Sequence, residues 1–245
     1  MKKITTIALL SVLATTAYAQ EDKLAVSASF AWENEYIFRG LQLSNSAFQP
    51  AIDLSYGGAY VGMWTSLPVE SAEANSKEID IYGGYGAKVG DMVNVDAGAT
   101  IYYYPSKRDV SATAYKNTVE AYLGGSLDVI LKPSLYVYYD FKLESVTLES
   151  SIGHSIDLGD NLGIDTGLAV GYVWAEKIKT GLNNAPDRLY GQATADLTYA
   201  FTDSAKFKIG ARLSANDYSQ ADLTYIGNAN GDRNLWWGAS FTAGF

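Results

Sequence analysis

The sequence predicts an all-β fold, a transmembrane antiparallel up-and-down β-barrel of about 12 strands. The first observation is that apolar and polar residues alternate at every second position through most of the chain, which is typical of strands with two different faces. The second is that tight turns and long polar links alternate between these segments, as in outer-membrane barrels. The third is that residues 20–245 contain no apolar run of the roughly 18 residues that a membrane helix needs. Without such a helix, only a closed barrel satisfies every backbone group in a bilayer.

Twelve segments carry the alternating pattern, at residues 24–39, 48–56, 59–66, 78–88, 92–104, 115–125, 134–142, 146–158, 162–174, 188–201, 206–218 and 234–245. The tight links between them lie at 57–58, 90–91, 159–161 and 202–204, and the long links at 67–76, 105–114, 175–187 and 219–233. Two links break this alternation, because 126–133 is long for a turn and 143–145 is short for an outer loop. An even number of strands places both chain ends on the side of the short turns.

The last segment is the most informative one. Leu235, Trp237 and Phe245 fall on one face, whereas Ser240 and Thr242 fall on the other, and the sequence ends on the aromatic residue. A last strand of this kind resembles the assembly signal of bacterial outer-membrane barrels. It therefore predicts the barrel assembly machinery as a partner and the outer membrane of a Gram-negative bacterium as the location.

The first residues fit a secretory signal. Lys2 and Lys3 supply the charged start, residues 4–16 the apolar stretch, and Ala17-Tyr18-Ala19 the cleavage site. The predicted division is a cleaved signal peptide at 1–19 and an outer-membrane β-barrel at 20–245, which forms one domain.

Composition narrows the function classes. The chain has no cysteine, and its 27 acidic residues against 18 basic ones give a formal net charge of −9. An excess of acids argues against nucleic acid as a partner. The 23 glycines and 19 tyrosines suit curved strands and interfacial aromatic girdles, although a soluble β-sandwich could use the same residues.

The two faces of the segments favour the barrel over the sandwich. The apolar faces carry almost no charge and often end in aromatic residues such as Trp32, Tyr103 and Trp174, so we expect them to contact outer-membrane lipid. The opposite faces are rich in small residues and carry the charges. The predicted lumen-lining residues are Glu33, Arg39, Asp53, Asp80, Asp96, Glu120, Asp140, Asp165, Arg188, Asp196, Lys206, Lys208 and Arg212.

These charges leave two interpretations of the lumen. The bases cluster on the segments at 188–201 and 206–218, whereas most acids lie between 48 and 174. Opposed acidic and basic walls would create a field that orients small polar or zwitterionic solutes. Alternatively, the charges pair across the lumen and fill it. Barrels of about eight strands are plugged by side chains and those of roughly 16–18 strands hold a channel, so twelve strands allow either.

Catalytic and metal signals are weak. The single histidine, His154, precedes Ser155, but neighbouring strand residues point to opposite faces and cannot form a catalytic pair. Oxygen ligands at Asp157, Asp160 and Asp165, and the segment 228–232, are better explained as turns and loops. The segment 83–86 is glycine-rich but no helix follows it. We therefore expect no enzyme activity, no cofactor and no metal.

A short motif resembles a known family. The residues are Tyr36-Ile37-Phe38-Arg39-Gly40, Gln42, Ser44, Gln49-Pro50, Asp53 and Tyr60-Val61-Gly62-Met63-Trp64. They resemble the proteobacterial Gcw_chp family, also called the TorF family, which usually has Ser/Thr-Asp where this chain has Asn34-Glu35. The resemblance implies an outer-membrane barrel with a porin role, and it supplies no substrate and no catalytic residues.

The phase of the first strand gives a further expectation for this motif. If that strand continues past Trp32, then Asn34, Tyr36 and Phe38 face lipid. Arg39 then points into the lumen near Asp53 and Asp80.

The sequence therefore predicts a narrow porin for small polar solutes. The alternative is a non-conducting structural barrel, or one whose outer loops at 67–76, 175–187 and 219–233 bind a partner. A barrel lipid hydrolase is less favoured, because His154 and the neighbouring Ser155 point to opposite faces of the strand.

Overall fold

The computed structural model describes residues 23–70, 77–105, 116–175, 187–217 and 233–245. The predicted signal peptide, most of the long links and the segment 228–232 lie outside these ranges. No α-helix in the described ranges is both long enough and apolar enough to cross a membrane.

The described residues form antiparallel strands joined by turns. In chain order the strands are β1 (Ala25–Glu33), β2 (Tyr36–Phe38), β3 (Leu41–Ser44), β4 (Ala47–Tyr56), β5 (Ala59–Pro68), β6 (Glu78–Val89), β7 (Val93–Tyr103), β8 (Asn117–Leu127), β9 (Ser134–Asp140), β10 (Ser145–Gly159), β11 (Leu162–Ala175), β12 (Arg188–Ala200), β13 (Ala205–Asn216) and β14 (Arg233–Gly244). All of them except β2 and β3 pair with their neighbours into one closed barrel.

The first and last barrel strands close the sheet. Phe30 of β1 lies opposite Phe241 of β14 on one side and opposite Pro50 of β4 on the other. The predicted antiparallel barrel of twelve strands is confirmed, and the C-terminal strand takes the closing position. Because every barrel strand has two partners, the wall leaves no free sheet edge.

The outer surface of the barrel is apolar. Its exposed side chains include Leu54, Val61, Ile81, Ile101, Leu123, Val137, Leu168, Leu197 and Ile209. In a soluble sandwich this face would be buried, so its exposure identifies a surface for lipid. Aromatic residues bound it at both ends. Trp32 packs on Trp237 with ring centroids 4.7 Å apart near one rim, and Tyr199 packs on Phe201 at 5.0 Å near the other.

The inner surface is built from tyrosines that lie over glycines of the next strand. Tyr82 is paired with Gly62, Tyr122 with Gly98, Tyr136 with Gly124, and Tyr190 with Gly171. A Cβ atom at any of these glycines would overlap the tyrosine ring beside it. The small residues of the polar faces therefore make room for large inward side chains.

We expect Gly98→Ala to destabilise the barrel by about 1–3 kcal/mol, the usual cost of overpacking. The added methyl would overlap the Tyr122 ring and lie 2.5 Å from the carbonyl oxygen of Gly83, which is backbone and cannot move aside. The matched control is Gly191→Ala, since the nearest atom to that Cβ is 3.8 Å away. Urea unfolding can be monitored by heat-modifiable gel migration. The urea midpoint should fall for Gly98→Ala and stay at the wild-type value for Gly191→Ala. Equal midpoints for the two variants would contradict the packing argument.

The first strand is shorter than predicted. It ends at Glu33, where the backbone N–H of Trp237 donates to the side chain of Asn34 (2.6 Å) instead of to a strand carbonyl. The chain then turns into the barrel. Tyr36 is only 3% exposed and Ile37 is fully buried, so the expectation that Asn34, Tyr36 and Phe38 continue a lipid-facing strand was wrong.

Candidate functional site

Residues 36–44, which we call the lumen hairpin, form the central feature of the barrel interior. Strands β2 and β3 pair with each other and with no barrel strand. Arg39 and Gly40 at the tip have φ angles of 47° and 80°, which is the backbone of a two-residue hairpin turn of type I′. The signal for this turn was an X-Gly pair between two short runs, but arginine is unusual at the first position.

The lumen hairpin crosses the barrel from one wall to the opposite one. Near its base, Tyr36 packs against Trp64 of β5 with ring centroids 5.4 Å apart. At its tip, Asn216 of β13 donates to the Gly40 carbonyl (2.6 Å), and Arg188 of β12 donates to the Arg39 carbonyl (3.1 Å). A Cβ at Gly40 would lie 2.8 Å from that of Tyr190. The tip therefore fits against the far wall only with glycine.

Arg39 fastens this tip to the wall. Its guanidinium donates two hydrogen bonds to the Glu120 carboxylate, at 2.7 and 2.8 Å, and it lies 4.5 Å from the centroid of the Tyr138 ring. Tyr102 also donates to Glu120 at 3.0 Å. Arg39 was expected near Asp53 and Asp80; that expectation was wrong, because the hairpin carries the side chain across the lumen to β8.

Two of the bases of the far wall, Lys208 and Arg212, are held in ion pairs. Lys208 contacts Asp165 at 2.6 Å, and Arg212 contacts Glu33 at 3.2 Å and Asp196 at 3.0 Å. These contacts agree with the interpretation in which charges pair across the lumen. They do not form the free basic wall of the other interpretation.

Several other inward acids accept hydrogen bonds from hydroxyl groups and not from cations. Asp96 accepts from Tyr60 at 2.8 Å and from Tyr136 at 3.4 Å. Asp53 accepts from Tyr82, and Asp140 accepts from Thr118. The inward tyrosines were not predicted as site residues; the signal that could have found them is their position on polar faces opposite glycine.

None of the thirteen sequence-predicted lumen residues is exposed in the structure, although the extent of their burial differs. The buried ones are Glu33, Arg39, Asp80, Asp96, Glu120, Asp140, Arg188, Asp196, Lys208 and Arg212. Asp53, Asp165 and Lys206 are half-buried. One inward acid, Glu78, was not predicted, and it accepts from Tyr104 at 3.0 Å. Glu149, which the alternation also places on a polar face, accepts from Tyr190 at 2.5 Å.

The structure separates the residues that were weighed for catalysis. His154 contacts the carbonyl oxygen of Ile130 through Nδ1 at 3.1 Å, whereas Ser155 donates to Asp165 at 2.6 Å in the interior. Asp157 accepts from the backbone N–H of Gly159 at 2.9 Å, as expected of a turn residue. Within the described part of the chain, no three acidic or histidine side chains are grouped as metal ligands.

Solved structures share this architecture at low sequence identity. The KdgM porin aligns with a TM-score of 0.56 and 12% identity, over 90% of this chain and 99% of that chain. A second KdgM structure, in complex with disordered oligogalacturonate, gives the same values. An outer membrane channel from Pseudomonas putida F1 aligns with a TM-score of 0.51 and 7% identity, over 95% of this chain and 100% of that chain. These likenesses show the fold of an outer-membrane barrel.

Sequence comparison identifies the family. No curated protein matches the chain. The family model described as "Bacterial protein of unknown function (Gcw_chp)" matches residues 18–242, far beyond the short motif that first carried the resemblance. The barrel with its lumen hairpin therefore belongs to the Gcw_chp family.

Proposed function

We propose that this protein is a narrow outer-membrane porin for small polar solutes, in which the lumen hairpin forms the constriction. The observation that carries the proposal is the path of residues 36–44, which cross the interior and are fastened to β8 through Arg39 and Glu120 and to the far wall through Arg188. An inward-folded segment narrows a barrel without closing its wall.

A polar interior supports a pore rather than an apolar plug. Charged side chains line the lumen on several strands, and Asp53, Asp165 and Lys206 are half-buried, so they keep contact with water. A barrel of twelve strands is also wider than the barrels of about eight strands that side chains fill completely.

The size and charge of the solute are part of the proposal. KdgM has been described with oligogalacturonate, which is a polyanion. The inward carboxylates of this chain oppose a solute of that kind, so we restrict the proposal to small polar solutes. The protein is proposed to reach the outer membrane through a signal at residues 1–19 and through recognition of its last strand by the barrel assembly machinery.

Refolded protein in planar bilayers should give discrete, small unitary current steps. Liposomes that contain the protein should swell in small sugars and not in large oligosaccharides. If neither the wild type nor Arg212→Ala conducts, and liposomes do not swell, the barrel is a structural or loop-binding one instead. Esterase assays on the wild type and His154→Ala provide the matching check on hydrolysis, for which we expect no activity.

A further inference from the structure

We infer that Ser66, Asp80 and Thr100, which we call the Asp80 site, form a transit site for small monovalent cations that makes the pore cation-selective. The inference rests on the proposed porin function and names the solute charge that this function would favour. The evidence is that the buried carboxylate of Asp80 and the hydroxyl groups beside it lack hydrogen-bond partners among the described residues.

Asp80 lies on the inner wall beside the base of the lumen hairpin. It is fully buried on β6, paired with Trp64 of β5 and with Tyr102 of β7. Trp64 in turn packs against Tyr36 of the hairpin. Asp80 therefore lies at the level of the hairpin base, beside the proposed constriction.

The oxygens of this site have no hydrogen-bond partner among the described residues. Both carboxylate oxygens of Asp80 are buried and without one, as are the hydroxyl oxygens of Ser66 and Thr100. Ser66 is paired with Glu78, and Thr100 with Tyr82. Both are therefore diagonal neighbours of Asp80 on the inner face. The site presents one carboxylate and two hydroxyl groups, none of which has a hydrogen-bond partner among the described residues.

The charges around Asp80 do not neutralise it. The charged groups that act most strongly on it are Glu78 and Glu120, both acids. Both terminal nitrogens of Arg39 are engaged with Glu120. A buried carboxylate with neither a cation nor a donor is costly, and either a proton or a cation that enters from the lumen removes that cost.

Oxygen ligands of this kind suit hard cations. No group of three or more acidic or histidine side chains in the described ranges could hold a metal tightly. One carboxylate and two hydroxyl groups are a sparse ligand set, so the ion binds weakly. Weak binding is what conduction requires, because an ion must leave the site as readily as it enters.

The other charged side chains of the lumen also favour cations over anions. The described inward acids are Glu33, Asp53, Glu78, Asp80, Asp96, Glu120, Asp140, Glu149, Asp165 and Asp196, and the inward bases are Arg39, Arg188, Lys206, Lys208 and Arg212. The acids outnumber the bases, and Arg39, Lys208 and Arg212 are already in ion pairs. The lumen thus carries a negative potential that attracts cations and repels anions.

The test is the reversal potential in a KCl gradient across a planar bilayer. The wild type should prefer K⁺ over Cl⁻, and Asp80→Asn should lower this permeability ratio by about fivefold, the effect of one unit charge on an ion about 4 Å away in water. Asp91→Asn, at an exposed turn, should leave the ratio unchanged. A non-selective wild type, or an unchanged ratio in Asp80→Asn, overturns the cation site. Absence of current in all three proteins overturns the porin function instead.

A second measurement does not depend on conduction. The unfolding temperature of the wild type should be higher in KCl than in N-methylglucamine chloride of the same ionic strength, and this difference should vanish in Asp80→Asn. Heat-modifiable migration shows whether the variant has folded. A wild type with no K⁺ dependence would mean that Asp80 holds a proton and not a cation, which contradicts the inference.

Discussion

Replacing residues 34–46 by a four-residue Gly-Ser turn, in a Glu120→Gln background, is expected to raise the unitary conductance several-fold. The lumen hairpin crosses the barrel from Trp64 to the far wall at Asn216, so its removal opens the narrowest part of the lumen. The replacement is compatible with the wall, because Glu33 and Ala47 are directly paired neighbours that a tight turn can join. The Glu120→Gln change avoids leaving a buried carboxylate without its Arg39 partner.

Glu120→Gln alone is the matched control for this variant. It retains the hairpin and should conduct in steps close to those of the wild type, with more frequent fluctuations because the tip has lost its ion pair. Liposome swelling should show the same order, with larger sugars admitted only by the variant that lacks the hairpin. Equal conductance with and without residues 34–46 would mean that the constriction lies elsewhere.

The hairpin also shows where sequence reasoning was sufficient and where it was not. Alternation predicted the closing strand at 234–245, within one residue of its range in the structure, and the pairing partners around the barrel, since strand period and turn length are local properties. The path of residues 36–44 depends instead on contacts with strands far along the chain, such as the one between Gly40 and Asn216. No period within the segment reveals those contacts.

The ion pairs were only partly predictable for a related reason. Alternation places Glu33 and Arg212 on the inner face, but they lie on β1 and β13 with β14 between them. Glu33 reaches across because the intervening residue is Gly238, where a Cβ would overlap its carboxylate. Asp196 lies over Gly210 in the same manner. Alternation in the sequence shows that Gly238 and Gly210 face inward. Which side chain fills the space beside each glycine depends on strand register, which the sequence does not reveal.

These same pairs make Arg212→Ala the substitution with the largest expected effect on stability. Arg212 lies between Glu33 and Asp196, and all three side chains are at most 7% exposed. Removing the guanidinium leaves two buried carboxylates beside each other without a cation. Breaking a buried ion pair in this way typically costs about 3–5 kcal/mol. The urea midpoint should therefore fall strongly in Arg212→Ala, whereas Arg233→Ala, at an exposed arginine on the next strand, should change it little.

Rescue variants distinguish lost charge pairing from lost packing. Adding Glu33→Gln and Asp196→Asn to Arg212→Ala removes both uncompensated charges and should recover most of the lost stability. Arg212→Lys should fall between the wild type and Arg212→Ala, because an ammonium keeps the charge but cannot reach both carboxylates with a planar fork. If the triple variant were as unstable as Arg212→Ala, the arginine would act mainly by filling space. The charges of this lumen would then contribute to conduction without holding the barrel wall together.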